Sequence, residues 1–177
     1  MPPTDFCTDL RHLIRDVPDF PKPGILFRDV TPLLADPDGL RRAVEALAEP
    51  FRKAGVERVL GIESRGFLLG APVALALGAG LVIVRKPGKL PWQTVSASYE
   101  LEYGSDTVEM HVDAVTPGQR VLIVDDLIAT GGTACAAVEL ARGAKADLLG
   151  CAFLIELTAL GGRLRLDVPV VHSVLEY

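Results

Sequence analysis

At 177 residues, with 49% apolar and 23% charged positions, the chain has the size and composition of one globular domain with room for a good core. Its formal net charge of −5, without Lys/Arg runs or basic residues interleaved with aromatics, argues against nucleic-acid binding. No apolar run reaches membrane-span length and the first residues lack a basic-then-apolar signal pattern, so the expected location is cytoplasmic, with no membrane partner.

Residues 9–16 have helical spacing, with Leu10, Leu13 and Ile14 on one face. The proline-punctuated run from Val17 to Gly24 cannot be helical, and Ile25 to Phe27 reads as a short strand. Asp38 to Ala54 predicts an amphipathic helix stopped by Gly55. Strands and helices then alternate: a strand over 58–62, a turn at Glu63-Ser-Arg-Gly66, a helix over 67–77 and a strand over 81–84. Residues 86–107 carry Pro87, Gly88, Pro91 and Gly104 and read as a long irregular segment of the kind that often forms a lid. Thr107 to Val112 alternates like an exposed strand. Val121 to Val124 reads as a strand buried on both faces, followed by a helix over 133–142, a buried strand over 148–155 and a short one over 170–174. This order predicts an α/β fold with a mainly parallel sheet and right-handed crossovers.

Three strand ends carry unusual residues. Arg65, in the Glu63–Gly66 turn between a strand and a helix, is placed to meet an anion. Arg85-Lys-Pro-Gly-Lys89 puts three cations in five residues at the end of an apolar strand; with Arg65 they would suit a diphosphate, although a solvated basic turn gives the same pattern. At the third strand end, Asp125 and Asp126 precede Ala129-Thr-Gly-Gly-Thr133. Carboxylates accept hydrogen bonds from a sugar diol, while a Gly-rich loop entering a helix offers N–H groups to a phosphate. Simple capping by Thr130 or Thr133 would account for one acid and one hydroxyl, but not for both glycines. Neither a G-x-x-x-x-G-K-[ST] loop nor a strand-linked G-x-G-x-x-G is present. Cys7, Cys135 and Cys151 form no metal spacing, and the last two read as small buried residues. His12 and His172 read as packing or surface residues; His111 and Trp92 carry no assigned role.

Val121 to Thr133 resembles the 5-phosphoribosyl-1-diphosphate (PRPP) signature of type I phosphoribosyltransferases. The likeness continues, in order and spacing, through Phe20-Pro-Lys-Pro-Gly-Ile-Leu-Phe-Arg-Asp-Val-Thr-Pro-Leu34, Glu63-Ser-Arg-Gly-Phe-Leu-Leu-Gly-Ala-Pro72, Arg85-Lys-Pro-Gly-Lys-Leu-Pro91 and Ser98-Tyr-Glu-Leu-Glu-Tyr-Gly104. The proline-rich segment and the Leu-Glu-Tyr-Gly stretch are similar to the adenine-using branch.

The resemblance implies a type I phosphoribosyltransferase fold in a single domain over 1–177, with a hood at about 1–35 and a lid at about 86–107. It implies transfer of the phosphoribosyl group of PRPP to adenine, giving AMP and diphosphate. Asp125 and Asp126 would contact the ribose hydroxyls, and Ala129, Thr130, Gly131, Gly132 and Thr133 the 5-phosphate. Arg65, Arg85, Lys86 and Lys89 would serve the diphosphate. Phe27 would stack on adenine, and backbone groups of Leu26 and Arg28 would read its edge. Glu102 would be the acid/base, with Tyr103 beside it in the lid. Mg²⁺ is expected with PRPP, held mainly by substrate and water, and the chain is expected to form a homodimer. Two alternatives stay open: hypoxanthine or xanthine as the base, decided over Ile25 to Arg28, and a non-enzymatic PRPP or purine sensor.

Overall fold

The computed structural model describes residues 10–100 and 105–177. In chain order these form β1 (Arg15–Pro18), β2 (Leu26–Asp29), α1 (Thr31–Ala35), α2 (Pro37–Ala48), β3 (Arg58–Ile62), α3 (Arg65–Leu77) and β4 (Gly80–Val84). There follow β5 (Thr94–Glu100), β6 (Ser105–His111), β7 (Arg120–Ile128), α4 (Gly132–Gly143), β8 (Asp147–Glu156) and β9 (Val171–Glu176).

The central sheet has the order β4-β3-β7-β8-β9, and every pairing in it is parallel. Its inner strands β3, β7 and β8 are covered on both faces, which explains their unbroken apolar runs. Val59, Leu122, Val124, Ala152 and Leu154 face a core shared with α2 and α3. Leu60, Ile62, Val121, Ile123, Cys151 and Phe153 face a second core built on α4 and the β5–β6 pair. From β3 the chain moves outward to β4, then returns to the other side of β3 for β7, β8 and β9. The strand order therefore reverses between β3 and β7, and ligands of open α/β sheets gather at the carboxyl ends of such strands.

Five expectations are corrected. The helix over 9–16 is replaced by a single 3₁₀ turn, Arg11–Leu13, and by β1, which pairs antiparallel with β2. One turn is enough to bury Leu10 and Ile14, while Pro18 disfavours helical backbone at Val17. The helix expected over 38–54 spans 37–48, capped by the Asp36 carboxylate on the Gly39 N–H at 2.6 Å, and Pro50 turns the chain into 3₁₀ geometry over Glu49–Phe51. The irregular segment expected over 86–107 contains β5 and most of β6, paired antiparallel from Thr94–His111 to Glu100–Ser105. Ala97, Tyr99, Val108 and Met110 of this pair are buried, so the strand expected to be exposed carries an apolar stripe onto the sheet. Lastly, β7 runs beyond Val124 to Ile128, so Asp125 and Asp126 lie inside its pairing with β8 and not at its end.

Candidate active site

The carboxyl ends of β3, β4 and β7 surround a cavity of about 370 Å³. Glu63, Ser64 and Arg65 form one wall, Lys86 and Tyr99 another, and Asp125 through Ala134 the floor and third wall.

The floor is set by β7. Its alternation sends the side chains of Asp125 and Asp126 to opposite faces, and the Asp126 N–H donates to Asp125 Oδ1 at 2.9 Å. Asp126 is only 6% exposed, and its Oδ2 accepts from Arg65 Nε at 2.5 Å. Burial, reinforced by the neighbouring Asp126 carboxylate, pushes the Asp125 carboxyl well above its ordinary range. Gly66 is required here by close approach: a Cβ would lie 2.7 Å from Asp125 Oδ1 and 3.0 Å from the Val124 carbonyl oxygen. The first turn of α3 is thereby brought against β7.

Helix α4 is preceded by Gly131, whose φ of +82° suits glycine, and no side chain caps its first N–H groups. Capping by Thr130 or Thr133 is therefore not what the loop is built for; its donors face the cavity instead. The amino end of α3 at Ser64 is likewise free of a side-chain cap and borders the same space. Two helix amino ends with open donors give the cavity an affinity for phosphate groups.

The expected cations separate by geometry. Arg65 and Lys86 line the cavity. Arg85 turns to Glu63, donating from Nε and Nη2 at 3.1 Å each, while the Lys86 N–H donates to the same carboxylate at 2.9 Å. These bonds from Arg85 and Lys86 hold Glu63 below the usual carboxylate range. Lys89 lies outside the wall and contributes its carbonyl to Arg85 Nη1 at 3.2 Å. Lys86 Nζ pairs with Asp106 of β6 and donates to the Tyr99 hydroxyl at 3.2 Å. Burial opposes charge on Lys86, but the Asp106 and Tyr99 bonds outweigh it and raise its pKa; the same pairing lowers that of Asp106.

The β1–β2 pair stands beside the cavity. Phe27 packs edge-on against Phe20 with ring centroids 5.1 Å apart, and the Arg65 guanidinium lies 5.3 Å from the Phe27 ring centre. Arg65 thus touches both the Asp126 carboxylate and the Phe27 ring. The Arg28 side chain is committed to Asp16 and to the Tyr177 ring. Glu102 and Tyr103 lie outside the described residues.

Other contributors lie in the turn after β8, away from the three strand ends that carry the charged residues. Gly162, in a turn after β8, packs under the Gly-rich loop: a Cβ on Gly131 would lie 2.7 Å from its carbonyl oxygen. Arg165 donates to the Thr130 carbonyl at 3.0 Å. Arg163 anchors that turn to buried Glu156 at 2.5 Å and to the Val171 carbonyl at 2.5 Å. Ser173 Oγ also donates to Glu156, at 2.6 Å, and the Arg163 and Ser173 bonds keep Glu156 below the usual carboxylate range. The paired glycines Gly161-Gly162 are the one sequence trace of this support. Among the described residues, no group of three or more His, Cys, Asp or Glu side chains could hold a metal ion. His172 is a packing residue, its Nε2 3.0 Å from the Ala46 carbonyl, and Cys151 is buried, its thiol pushed up to about 12.

Residues 30–172 match the phosphoribosyl transferase domain family. An adenine phosphoribosyltransferase of Thermosynechococcus vestitus is 61% identical over 167 residues, covering 94% of this chain and 98% of that protein. The crystal structure of adenine phosphoribosyltransferase from Rhodothermus marinus superimposes with a TM-score of 0.92 at 58% identity, covering 97% of this chain and 98% of that one. The enzyme from Saccharomyces cerevisiae, crystallised with an imino-altritol bisphosphate and adenine, gives a TM-score of 0.91 at 44% identity over 96% of this chain and 98% of that one. A phosphate-seeking cavity at the sheet's switch point and near-full-length likeness at this level give one conclusion: the chain belongs to the phosphoribosyltransferase family, among the adenine phosphoribosyltransferases.

Proposed function

We propose that the chain transfers the 5-phosphoribosyl group of PRPP to N9 of adenine, releasing AMP and diphosphate in purine salvage. The observation that carries the reading is the uncapped amino end of α4 beside the Asp125–Asp126 pair in one cavity, because PRPP presents both a phosphate and a diol. The N–H groups and hydroxyls of Ala129 to Thr133 take the 5-phosphate, and the two carboxylates accept from the ribose hydroxyls. Arg65, Lys86 and the amino end of α3 meet the diphosphate. Arg85 holds Glu63 and the Lys86 backbone in place, with Lys89 at the rim.

Transfer breaks the C1–O bond to diphosphate as N9 approaches, through a sugar that resembles a cation. Positive groups fixed around the leaving diphosphate stabilise the charge that grows there. Asp125 and Asp126 do the same for the sugar from below. Mg²⁺, with most of its ligands from PRPP and water, would add charge to the diphosphate. Phe27 stacks on the base. Leu26 and Arg28, two residues apart on β2, turn their peptide groups to the same edge and read adenine there. Glu102 takes the base proton, and Tyr103 is assigned to the lid.

The domain comprises residues 1–177, with the hood at about 1–35 and the lid at about 86–107. A homodimer is supported by α3 and β4, which expose Leu68, Leu75 (83%), Leu81 and Ile83. The composition and the lack of a helix able to span a membrane among the described residues support a cytoplasmic setting. The test is a spectrophotometric assay with PRPP and Mg²⁺ and with adenine, hypoxanthine or guanine as the base. Adenine is expected to be turned over at least about 100-fold more efficiently than either other base, since a site built to pair one set of donors rejects its mismatch strongly. Comparable rates with hypoxanthine would overturn the choice of base.

A further inference from the structure

Tyr177 packs against the core shared with α2 and α3, and it also makes contacts that the transfer reaction does not require. Its backbone is fixed to the carboxyl end of β8: the N–H donates to the Glu156 carbonyl at 2.9 Å, and its carbonyl accepts from Thr158 N at 2.9 Å and Thr158 Oγ1 at 2.8 Å. Its ring meets two guanidinium groups, Arg28 at 4.0 Å and Arg11 at 4.4 Å from the ring centre. Arg11 also donates to the Glu176 carbonyl at 2.7 Å, and Arg28 pairs with Asp16 across the β1–β2 ladder. The small β1–β2 sheet pairs with no strand of the central sheet, so side-chain contacts must set its position relative to the cavity. The Tyr177 ring is a direct link between the two, and it acts on Arg28, the residue next to Phe27.

We propose that Tyr177 is a positioning residue for base recognition, its ring holding β2 through Arg28 so that Phe27 lies over the purine. The proposal rests on the reading of β2 as the base site. The Phe27 ring is already placed beside Arg65, whose other contact is the Asp126 carboxylate. A shift of β2 would therefore move the stacking ring relative to a sugar fixed by β7. Loss of the Tyr177 ring loosens adenine binding and leaves the PRPP subsite, built on different elements, almost unchanged.

Three substitutions and one control test this by steady-state kinetics. Tyr177→Phe keeps the ring face and should retain the KM for adenine within about twofold. Tyr177→Leu keeps much of the apolar bulk without the π face, and Tyr177→Ala removes both; each should raise the KM for adenine by about fivefold to tenfold with the KM for PRPP within about twofold. Phe27→Ala should raise the KM for adenine in the same way. If Phe27→Ala does so and folded Tyr177→Leu does not, the Tyr177 proposal fails and the base site stands. An unchanged adenine KM in Phe27→Ala overturns the base site and the proposal with it. Equal rises in both KM values for Tyr177→Leu would mean that the ring serves general packing, which also overturns the proposal. Should the Tyr177 variants fail to fold, Arg11→Met removes one of the two cation–ring contacts, and an adenine KM raised at least twofold is the expected result; no rise overturns the proposal.

Discussion

At the level of single residues, the site trades stability for binding. Asp125 is kept in a place where burial and the Asp126 carboxylate both disfavour its charge. The Asp126 N–H relieves part of that cost, and a ligand's hydroxyl donors relieve more. Asp125→Asn should therefore stabilise the unliganded protein at neutral pH while weakening PRPP binding by about tenfold or more. Calorimetric melting with and without PRPP, alongside a binding titration, reads both effects; a destabilised variant would show that the carboxylate is a structural acceptor. The Asp pair was visible in the sequence because two adjacent acids after an apolar strand have no role in a core. Glu63 was not, since a lone acid in a turn reads as solvated. Its work in holding Arg85 and the Lys86 backbone depends on residues more than twenty positions away.

At the level of elements, what was legible followed from periodicity and what was missed followed from partners. The buried strands of the sheet announced themselves as apolar runs. The β5–β6 pair did not: Ser96, Ser98 and the flanking prolines and glycines masked a short alternation in which Ala97 and Tyr99 face the core. The turn at 161–165 carries almost no pattern, yet it supports the phosphate loop from below. A side chain on Gly162 would meet the Gly131 nitrogen at 2.8 Å, so Gly162→Ala must displace one of the two loops. It is expected to raise the KM for PRPP by about tenfold, and Arg165→Ala, which loses one hydrogen bond to the Thr130 carbonyl, by about threefold, with the KM for adenine little changed in both. Initial rates with each substrate varied in turn give the split; a larger effect on adenine would sever the turn from the phosphate subsite.

Across the whole molecule, several titratable groups bias stability in one direction. Glu63, Asp106 and Glu156 lie below the usual carboxylate range because Arg85, Lys86 and Arg163 respectively hydrogen-bond to them. The unfolded chain binds their protons more readily, so their contribution is complete above the usual carboxylate range and is lost as pH falls through the folded values. His172 has the same sign. Burial beneath α2, opposed only partly by its bond to the Ala46 carbonyl, lowers its pKa, and Arg163 lowers it further. Its unfolded form takes up a proton first, so stability begins to decline once pH drops below about 6.5, well before the carboxylates titrate. Melting temperature should thus be level near neutrality, fall gently below pH of about 6.5 and fall steeply below pH of about 4. Replacing His172 by Gln keeps a donor for the Ala46 carbonyl without a titrating ring. It should remove the first decline, about 2–4 °C for each kcal/mol lost in a chain of this size, and leave the second intact. Melts of both proteins at half-unit pH intervals decide the matter: an unaltered decline between pH of about 6.5 and 5 in the variant would move its origin away from the β9–α2 contact.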